Sequence, residues 1–253
     1  FRGPLDGGRE IAAFGVGGGE GADDVGQLVL GHLAGQLGQF DRALAVAGTT
    51  ILGIDAEGVP LLLRLSSPDV AHCLVAGTTG SGKTELTRTM IASLVTHQKP
   101  RDLQIAIFDP KAHSFNEFAR IPHLLCPIVS SPAETVHRIR ALVSEMERRD
   151  HQGGLGQSQV TRPHVVIVID ELADLLQSCG KDLDASLTRL LQRGRSAGIS
   201  VVACTQKPSA AAVSTLIRAN FPVRLVGRVT SANDALVAAG VGGTGAEKLA
   251  GRG

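Results

Sequence analysis

The chain has 253 residues, enough for one large α/β domain or one domain with a small appendage, and its apolar fraction of 43% supplies a full core. A formal net charge of +1 excludes a globally basic nucleic-acid binder, so any such contact must rest on locally grouped Lys and Arg. No apolar stretch reaches membrane-span length, no signal-peptide pattern is present, and no HExxH or Cys/His ligand spacing occurs, so a span, a leader and a structural metal are not expected.

In chain order, residues 1–24 carry Gly7-Gly8 and Gly17-Gly18-Gly19 with weak periodicity, which predicts a loose or peripheral start. Val25, Leu28, Val29, His32, Leu33, Gln36 and Leu37 trace one face of a helix over 25–40. Residues 51–65, broken by Asp55-Ala56-Glu57-Gly58, read as a hairpin of the core domain. An apolar run at 73–76 then leads into Gly77-Thr78-Thr79-Gly80-Ser81-Gly82-Lys83-Thr84 and a helix over Lys83–His97.

That octapeptide, between a strand and a helix, is a phosphate-binding P-loop and implies a nucleoside triphosphate. Its glycines let successive backbone N–H groups face inward, Lys83 reaches the β- and γ-phosphates, and the Thr84 hydroxyl takes a place on Mg²⁺. The helix adds its positive end.

Further on, Leu103–Phe108 reads as a strand, and Ser131-Pro132-Ala133-Glu134 is a capping box opening a helix with the stripe Val136, Ile139, Val143 and Met146. This helix is expected to end in Glu147-Arg148-Arg149, ahead of a polar, Gly-rich, mobile insertion at 151–161. The unbroken apolar run 165–169 ends in Asp170-Glu171, a Walker B arrangement. Asp170 would hold Mg²⁺ through water, and Glu171 would orient and deprotonate the attacking water. A helix over 183–192, strands over 199–204 and 223–229, a short helix over 211–219 and a last helix after Ser231 complete an alternating α/β pattern. Cys73, Cys126, Cys179 and Cys204 are scattered without CxxC, as in a reducing compartment.

Several segments together resemble one family. They are the P-loop, Asp109-Pro110-Lys111, Ile121-Pro122-His123-Leu124-Leu125, Glu145-Met146-Glu147-Arg148-Arg149, Asp170-Glu171-Leu172-Ala173-Asp174-Leu175, and Gly194-Arg195-Ser196-Ala197-Gly198-Ile199. The stretches 203–209, 216–224 and 245–253 extend the match, so that the chain from about residue 52 onward is similar to the motor domain of the FtsK/SpoIIIE DNA translocases. The resemblance implies a RecA-like P-loop NTPase, with a mainly parallel sheet flanked by helices, over 51–253, and leaves 1–50 as a small appendage. It implies ATP and Mg²⁺ as cofactors, a homo-hexameric ring, and double-stranded DNA driven through the pore.

Within that resemblance Gln206 matches the γ-phosphate sensor, and its amide can bond both phosphate and water. Arg195 matches the arginine finger given by a neighbouring subunit, with Arg149 and Arg224 as lesser candidates; the alternative is that Arg193 and Arg195 solvate a helix end. Lys207 and Arg218 match basic positions facing the pore, where each would touch phosphate without reading bases, or else be solvated surface charges. Where the family carries Ser-Ser-Lys-x-Asp-Ser-Arg, this chain has Ser231-Ala232-Asn233-Asp234-Ala235-Leu236, a departure from the chromosome-segregation members. Two other functions stay open: a type VII-like secretion ATPase acting on proteins, towards which the stretch 83–89 leans, and a nucleotide-binding module without turnover, against which Glu171 and Gln206 stand. The chain starts at Phe1 and stops after Gly251-Arg252-Gly253, so it reads as a cytoplasmic piece of something longer, with no membrane contact of its own and with an upstream anchor left open.

Overall fold

The computed structural model describes residues 11–13, 40–55, 59–154, 163–206, 208–209 and 212–251. Its strands in chain order are β1 (Ile11–Ala13), β2 (Thr49–Ile54), β3 (Pro60–Arg64), β4 (His72–Ala76), β5 (Leu103–Phe108), β6 (His164–Ile169), β7 (Ile199–Thr205) and β8 (Val223–Val226). Among the described residues the helices are α1 (Asp41–Leu44), α2 (Lys83–His97), α3 (Pro132–Gly154), α4 (Leu172–Arg193), α5 (Thr215–Ala219) and α6 (Ala232–Ala239), with 3₁₀ turns at Asn116–Phe118 and Ala246–Lys248.

Six strands form one parallel sheet in the order β5-β6-β7-β4-β8-β1, while β2 and β3 pair antiparallel in a sheet of their own. Because successive strand residues point to opposite faces, the continuous apolar runs feed two cores. One face carries Leu74, Phe108, Ile167, Ile169 and Val201 against Ile139 and Met146 of α3 and Leu172, Leu183, Leu187 and Leu190 of α4. The other carries Cys73, Val75, Ile107, Val168 and Cys204 against Leu86, Met90, Ile91 and Leu94 of α2 and against Leu63 of the hairpin and Leu65 just after it. Each fully buried Met, Ile or Leu of α2 contributes about 1.5–3 kcal/mol to this layering. The chain is thus the α/β sandwich of helices on both sides of a parallel sheet that the resemblance implied.

The hairpin and α1 dock on the end of α2 through polar contacts. Thr50 Oγ1 donates to the Met90 carbonyl at 3.0 Å and Ile51 N–H to Ser93 Oγ at 3.0 Å. Gln98, 6% exposed, accepts from Gly48 N–H at 2.8 Å and donates to the Thr49 carbonyl at 2.8 Å and that of Leu44 at 3.2 Å. Ile11–Ala13 extends the sheet beyond β8, so part of the stretch expected to be loose is a strand; 25–39 of the expected early helix lie outside the described residues.

Four further boundaries differ from the sequence reading, the first being the short helix expected over 211–219, which starts only at Thr215, where Ser214 Oγ caps it by accepting Ile217 N–H at 3.3 Å. Helix α3 does not stop at Arg149 but runs to Gly154, because Glu147 pairs with Arg189 at 2.6 Å and Asp150 with Arg193 at 2.8 Å, tying its last turns to α4. The rest of the Gly-rich insertion, 155–162, lies outside the described residues. Helix α4 begins at Leu172, eleven residues earlier than expected, and is kinked at Gly180, whose φ of 65° and ψ of −151° leave the helical region. Finally β8 ends at Val226, where the chain turns to brace the P-loop.

Candidate active site

Sheet order and register assemble the site. Ala76 lies opposite Thr205 and Val226, and Ile169 opposite Ala203 and Phe108, so the residues that follow each strand share one edge of the sheet. These are Gly77, Gln206, Gly227, Asp170 and Asp109. Since β7 separates the P-loop strand from the Walker B strand, Gln206 emerges between the two motifs. The carboxyl edge of an open parallel sheet, at the start of a helix, is where such folds take phosphates.

The loop Gly77–Thr84 wraps the start of α2. Gly82 caps that helix in the left-handed region, φ 88°, which suits a residue without Cβ, and offers no side chain to its first-turn N–H groups. A Cβ on Gly77 would overlap Ser81 Oγ. Neighbouring strands brace the loop: Thr78 N–H donates to the Arg228 carbonyl at 2.8 Å, and Gly77 N–H to that of Thr205 at 3.2 Å. Ser81 Oγ is buried with no hydrogen-bond partner among the described residues, and Lys83 Nζ donates back to the Thr78 carbonyl at 2.9 Å. Burial lowers the Lys83 pKa, Cys204, Glu171 and Asp170 oppose that shift, and Lys111 reinforces it. A buried ammonium and a buried hydroxyl beside the uncapped start of α2 fit a polyphosphate.

Asp170, 7% exposed, accepts from Ser114 Oγ at 2.8 Å through Oδ2; among the described residues no donor bonds its Oδ1. Thr84 stands half-buried in the first turn of α2. A carboxylate and a hydroxyl are the hard oxygen donors that Mg²⁺ takes beside phosphate and water. Glu171 has φ 56° and ψ 66°, a left-handed conformation costing a non-glycine residue about 1–2 kcal/mol. The bend turns its carboxylate away from its own helix: Oε1 accepts Gln206 N–H at 3.0 Å and Thr205 Oγ1 at 3.4 Å. Burial raises its pKa, the Gln206 N–H counters, Asp174 adds to the rise, and Lys111 and Lys83 lower it. Gln206 Oε1 in turn accepts Thr79 Oγ1 at 2.8 Å.

The expected P-loop, Walker B and Gln206 residues therefore meet at one place, and the other expected residues do not. Arg195 is exposed and precedes β7, whereas Gln206 follows it; at ~3.3 Å per residue the seven residues of that strand put them roughly 20 Å apart. Arg149 is 7% exposed and donates to Glu145 at 2.7 Å and to the carbonyls of Pro163 at 3.1 Å and Ala197 at 3.0 Å. Arg224, 4% exposed, donates to the carbonyls of Arg218 at 2.7 Å, Ala238 at 3.3 Å and Phe221 at 3.4 Å. Both are built into the fold by these bonds. Arg218 is half-buried, with Nε on the Val213 carbonyl at 3.1 Å and Nη2 on Thr215 Oγ1 at 3.3 Å. Lys207 lies outside the described residues. Sequence reasoning named Asp109 without a role and missed Ser114 and the Arg228 carbonyl, whose partners are distant in the chain.

The family model described as "FtsK/SpoIIIE family" matches residues 43–153 and 154–210, well over half of the chain. The chain belongs to the FtsK/SpoIIIE family. Among curated FtsK/SpoIIIE relatives, the DNA translocase FtsK of Sporosarcina ureae is 36% identical over 222 residues, covering 80% of this chain and 28% of the relative. That of Staphylococcus epidermidis (strain ATCC 35984) is 35% identical over 222 residues, covering 80% and 27%. The chain thus spans little more than a quarter of these translocases. In solved structures it is similar to the pCW3 conjugation coupling protein TcpA with ATPgS, at TM-score 0.67, 20% identity, 81% of this chain and 61% of that one. It is also similar to the cytoplasmic domain of the Thermomonospora curvata type VII secretion ATPase EccC, at TM-score 0.69, 24% identity, and 83% and 27% coverage. This FtsK/SpoIIIE chain is a P-loop ATPase by family and fold, and no helix among its described residues is long and apolar enough to cross a membrane.

Proposed function

We propose that the chain is the motor of an ATP-driven double-stranded DNA translocase that works as a homo-hexameric ring in the cytoplasm. The observation that carries this reading is Gln206, hydrogen-bonded to the phosphate loop through Thr79 and to Glu171 through its backbone. Such a residue links the presence of a γ-phosphate to the position of the base. The substrate is inferred from the relatives named DNA translocase FtsK, at 35–36% identity over 80% of this chain.

In this reading the loop N–H groups not bonded to backbone carbonyls among the described residues, those of Thr79, Gly80, Gly82, Lys83 and Thr84, and the Lys83 ammonium hold the triphosphate, Lys83 exchanging the Thr78 carbonyl for phosphate oxygens. Asp170 and Thr84 hold Mg²⁺, which when bound neutralises phosphate charge. Glu171 takes the proton of the attacking water, and its burial suits a general base by keeping its pKa above the usual carboxylate range. Gln206 uses its amide N–H to orient that water or the γ-phosphate while its carbonyl stays on Thr79. Arg195, too far from its own Gln206 to serve it, reaches the neighbouring subunit's site and neutralises transition-state charge. Lys207 and Arg218 contact DNA phosphates without reading sequence.

The test is ATPase rate with and without duplex DNA, at several salt concentrations. Stimulation by duplexes of unrelated sequence is expected, weakening steeply with salt. Arg218→Ala should shallow the salt slope by about one unit if it touches one phosphate. A rate indifferent to duplex DNA but raised by an unfolded polypeptide would overturn the reading in favour of a secretion ATPase.

A further inference from the structure

The loop from Asp109 to Ser114 carries a polar arrangement that the proposed function leaves unused. Asp109, 1% exposed at the end of β5, folds the loop around its carboxylate. Oδ1 accepts the N–H groups of Lys111 and Ala112, each at 3.1 Å, and Oδ2 accepts that of Ser114 at 2.7 Å. Three backbone donors on one buried carboxylate hold Ala112 at φ 57°, in the left-handed region that a residue with a Cβ rarely adopts.

The loop ends by fixing Ser114. This residue is 9% exposed, its N–H is held by Asp109, and its carbonyl accepts Arg88 Nε at 2.9 Å. Arg88 is itself ion-paired with Glu85 at 2.6 Å and Glu117 at 2.8 Å, so the anchor reaches into the first turns of α2. With the backbone of Ser114 clamped on both sides, its hydroxyl has one task left, the bond to Asp170 Oδ2 at 2.8 Å. A carboxylate with one oxygen engaged has its plane defined and the other oxygen available.

We propose that Ser114 is a positioning residue: held by Asp109 and Arg88, it occupies Oδ2 of Asp170 and so presents Oδ1 to the divalent cation that accompanies the nucleotide. The proposal rests on the reading of Asp170 as a cation residue. It assigns the Asp109-Pro110-Lys111 turn a purpose, namely to set the outer partner of a carboxylate that begins 61 positions further along the chain. Outer partners of this kind typically change metal affinity about 10–100-fold when removed.

The experiment titrates Mn²⁺ into protein saturated with a non-hydrolysable ATP analogue and follows free Mn²⁺ by electron paramagnetic resonance, with the analogue alone as blank. Ser114→Ala should weaken Mn²⁺ binding about tenfold, leave metal-free binding of the analogue unchanged, and be rescued by Ser114→Thr, which keeps the hydroxyl. Ser114→Cys, a weaker donor of similar volume, should fall between and serves if the alanine variant does not fold. Asp170→Asn is the control. Loss of Mn²⁺ affinity in Asp170→Asn with none in Ser114→Ala or Ser114→Cys overturns the positioning role alone. Equal losses in Ser114→Ala and Ser114→Thr overturn it too, since packing and not the hydroxyl would then matter. Wild-type affinity in Asp170→Asn overturns the cation reading beneath it.

Discussion

Gln206 is bonded to both halves of the site: its side-chain carbonyl accepts the Thr79 hydroxyl at 2.8 Å, and its backbone N–H donates to the Glu171 carboxylate at 3.0 Å. The two bonds come from different parts of one residue, so they can be separated by mutation. Gln206→Ala removes the amide and spares the backbone donor. ATP binding should stay within a few-fold of wild type while kcat falls by roughly 10²–10³, the usual cost of losing one aligned polar group at a reacting centre. Equilibrium binding of a fluorescent ATP analogue and single-turnover hydrolysis together check this. Loss of binding equal to the loss of rate would make Gln206 a mere brace of the P-loop.

Lys83 and Glu171 should fail in different ways. On the proposed assignment Lys83→Ala removes the cation that holds the phosphates, so both retention of nucleotide and hydrolysis should be lost. Glu171→Gln keeps shape and polarity and removes only the proposed base, so ATP should be retained and not hydrolysed. Filter retention of radiolabelled ATP separates the two, and wild-type turnover in Glu171→Gln would sink its assignment as base.

The pH profile tests the same carboxylate. On the proposed assignment of Glu171 as base, hydrolysis needs it deprotonated; burial raises its folded pKa, so kcat should fall as pH drops through that raised pKa. Lys111 lowers the Glu171 pKa and lies on the loop after β5. Lys111→Ala should therefore move the acid limb of the kcat profile to higher pH. An unchanged or lowered limb would mean that Glu171 does not set it.

What was legible in the sequence is local. The P-loop helix and the strand after it have the expected limits, Lys83–His97 and Leu103–Phe108, because glycine punctuation and unbroken apolar runs are short-range signals. Ser131 Oγ accepts Glu134 N–H at 3.2 Å, one half of the expected capping box, while the Glu134 carboxylate accepts from Arg138 at 3.3 Å. What was not legible depends on folding. Arg149 and Arg224 look like surface cations until burial shows their donors spent on backbone carbonyls. The first turns of α4 were concealed by Gly180, which breaks the helical geometry without ending the packing of Leu172, Leu175 and Leu176 on the core. Ser114 has no signal of its own, since its carboxylate partner is 56 positions away.

Arg195 carries a claim about assembly. If it serves the adjacent subunit, Arg195→Ala should bind ATP normally and lose turnover by about 10³-fold or more, the scale of known arginine fingers. Mixed with Glu171→Gln subunits, it should regain some activity, because some interfaces then join an intact base to an intact arginine. Verified mixed rings that stay inactive would exclude a role in trans and return Arg195 to the solvated end of α4.

His72 should make the fold acid-sensitive. It stands at the start of β4, 2% exposed, with the edge of Phe221 6.4 Å away between ring centres. Its Nδ1 accepts the Val201 N–H at 3.0 Å, which puts the neutral ring's proton on Nε2. Burial lowers its pKa to about 4, the Leu191 backbone pulls the other way, and His164 adds to the drop. The unfolded ring, with a pKa of about 6.5, therefore binds the proton first. Stability from the neutral ring is present above pH 6.5 and is lost as pH falls towards 4, by up to about 3 kcal/mol. His72→Asn keeps an acceptor for Val201 N–H and cannot charge. It should be less stable than wild type at pH 7.5, from lost packing, yet flatter in urea midpoint between pH 6.5 and 4.5. Parallel midpoint curves for the two proteins across that window would show that His72 does not titrate with unfolding.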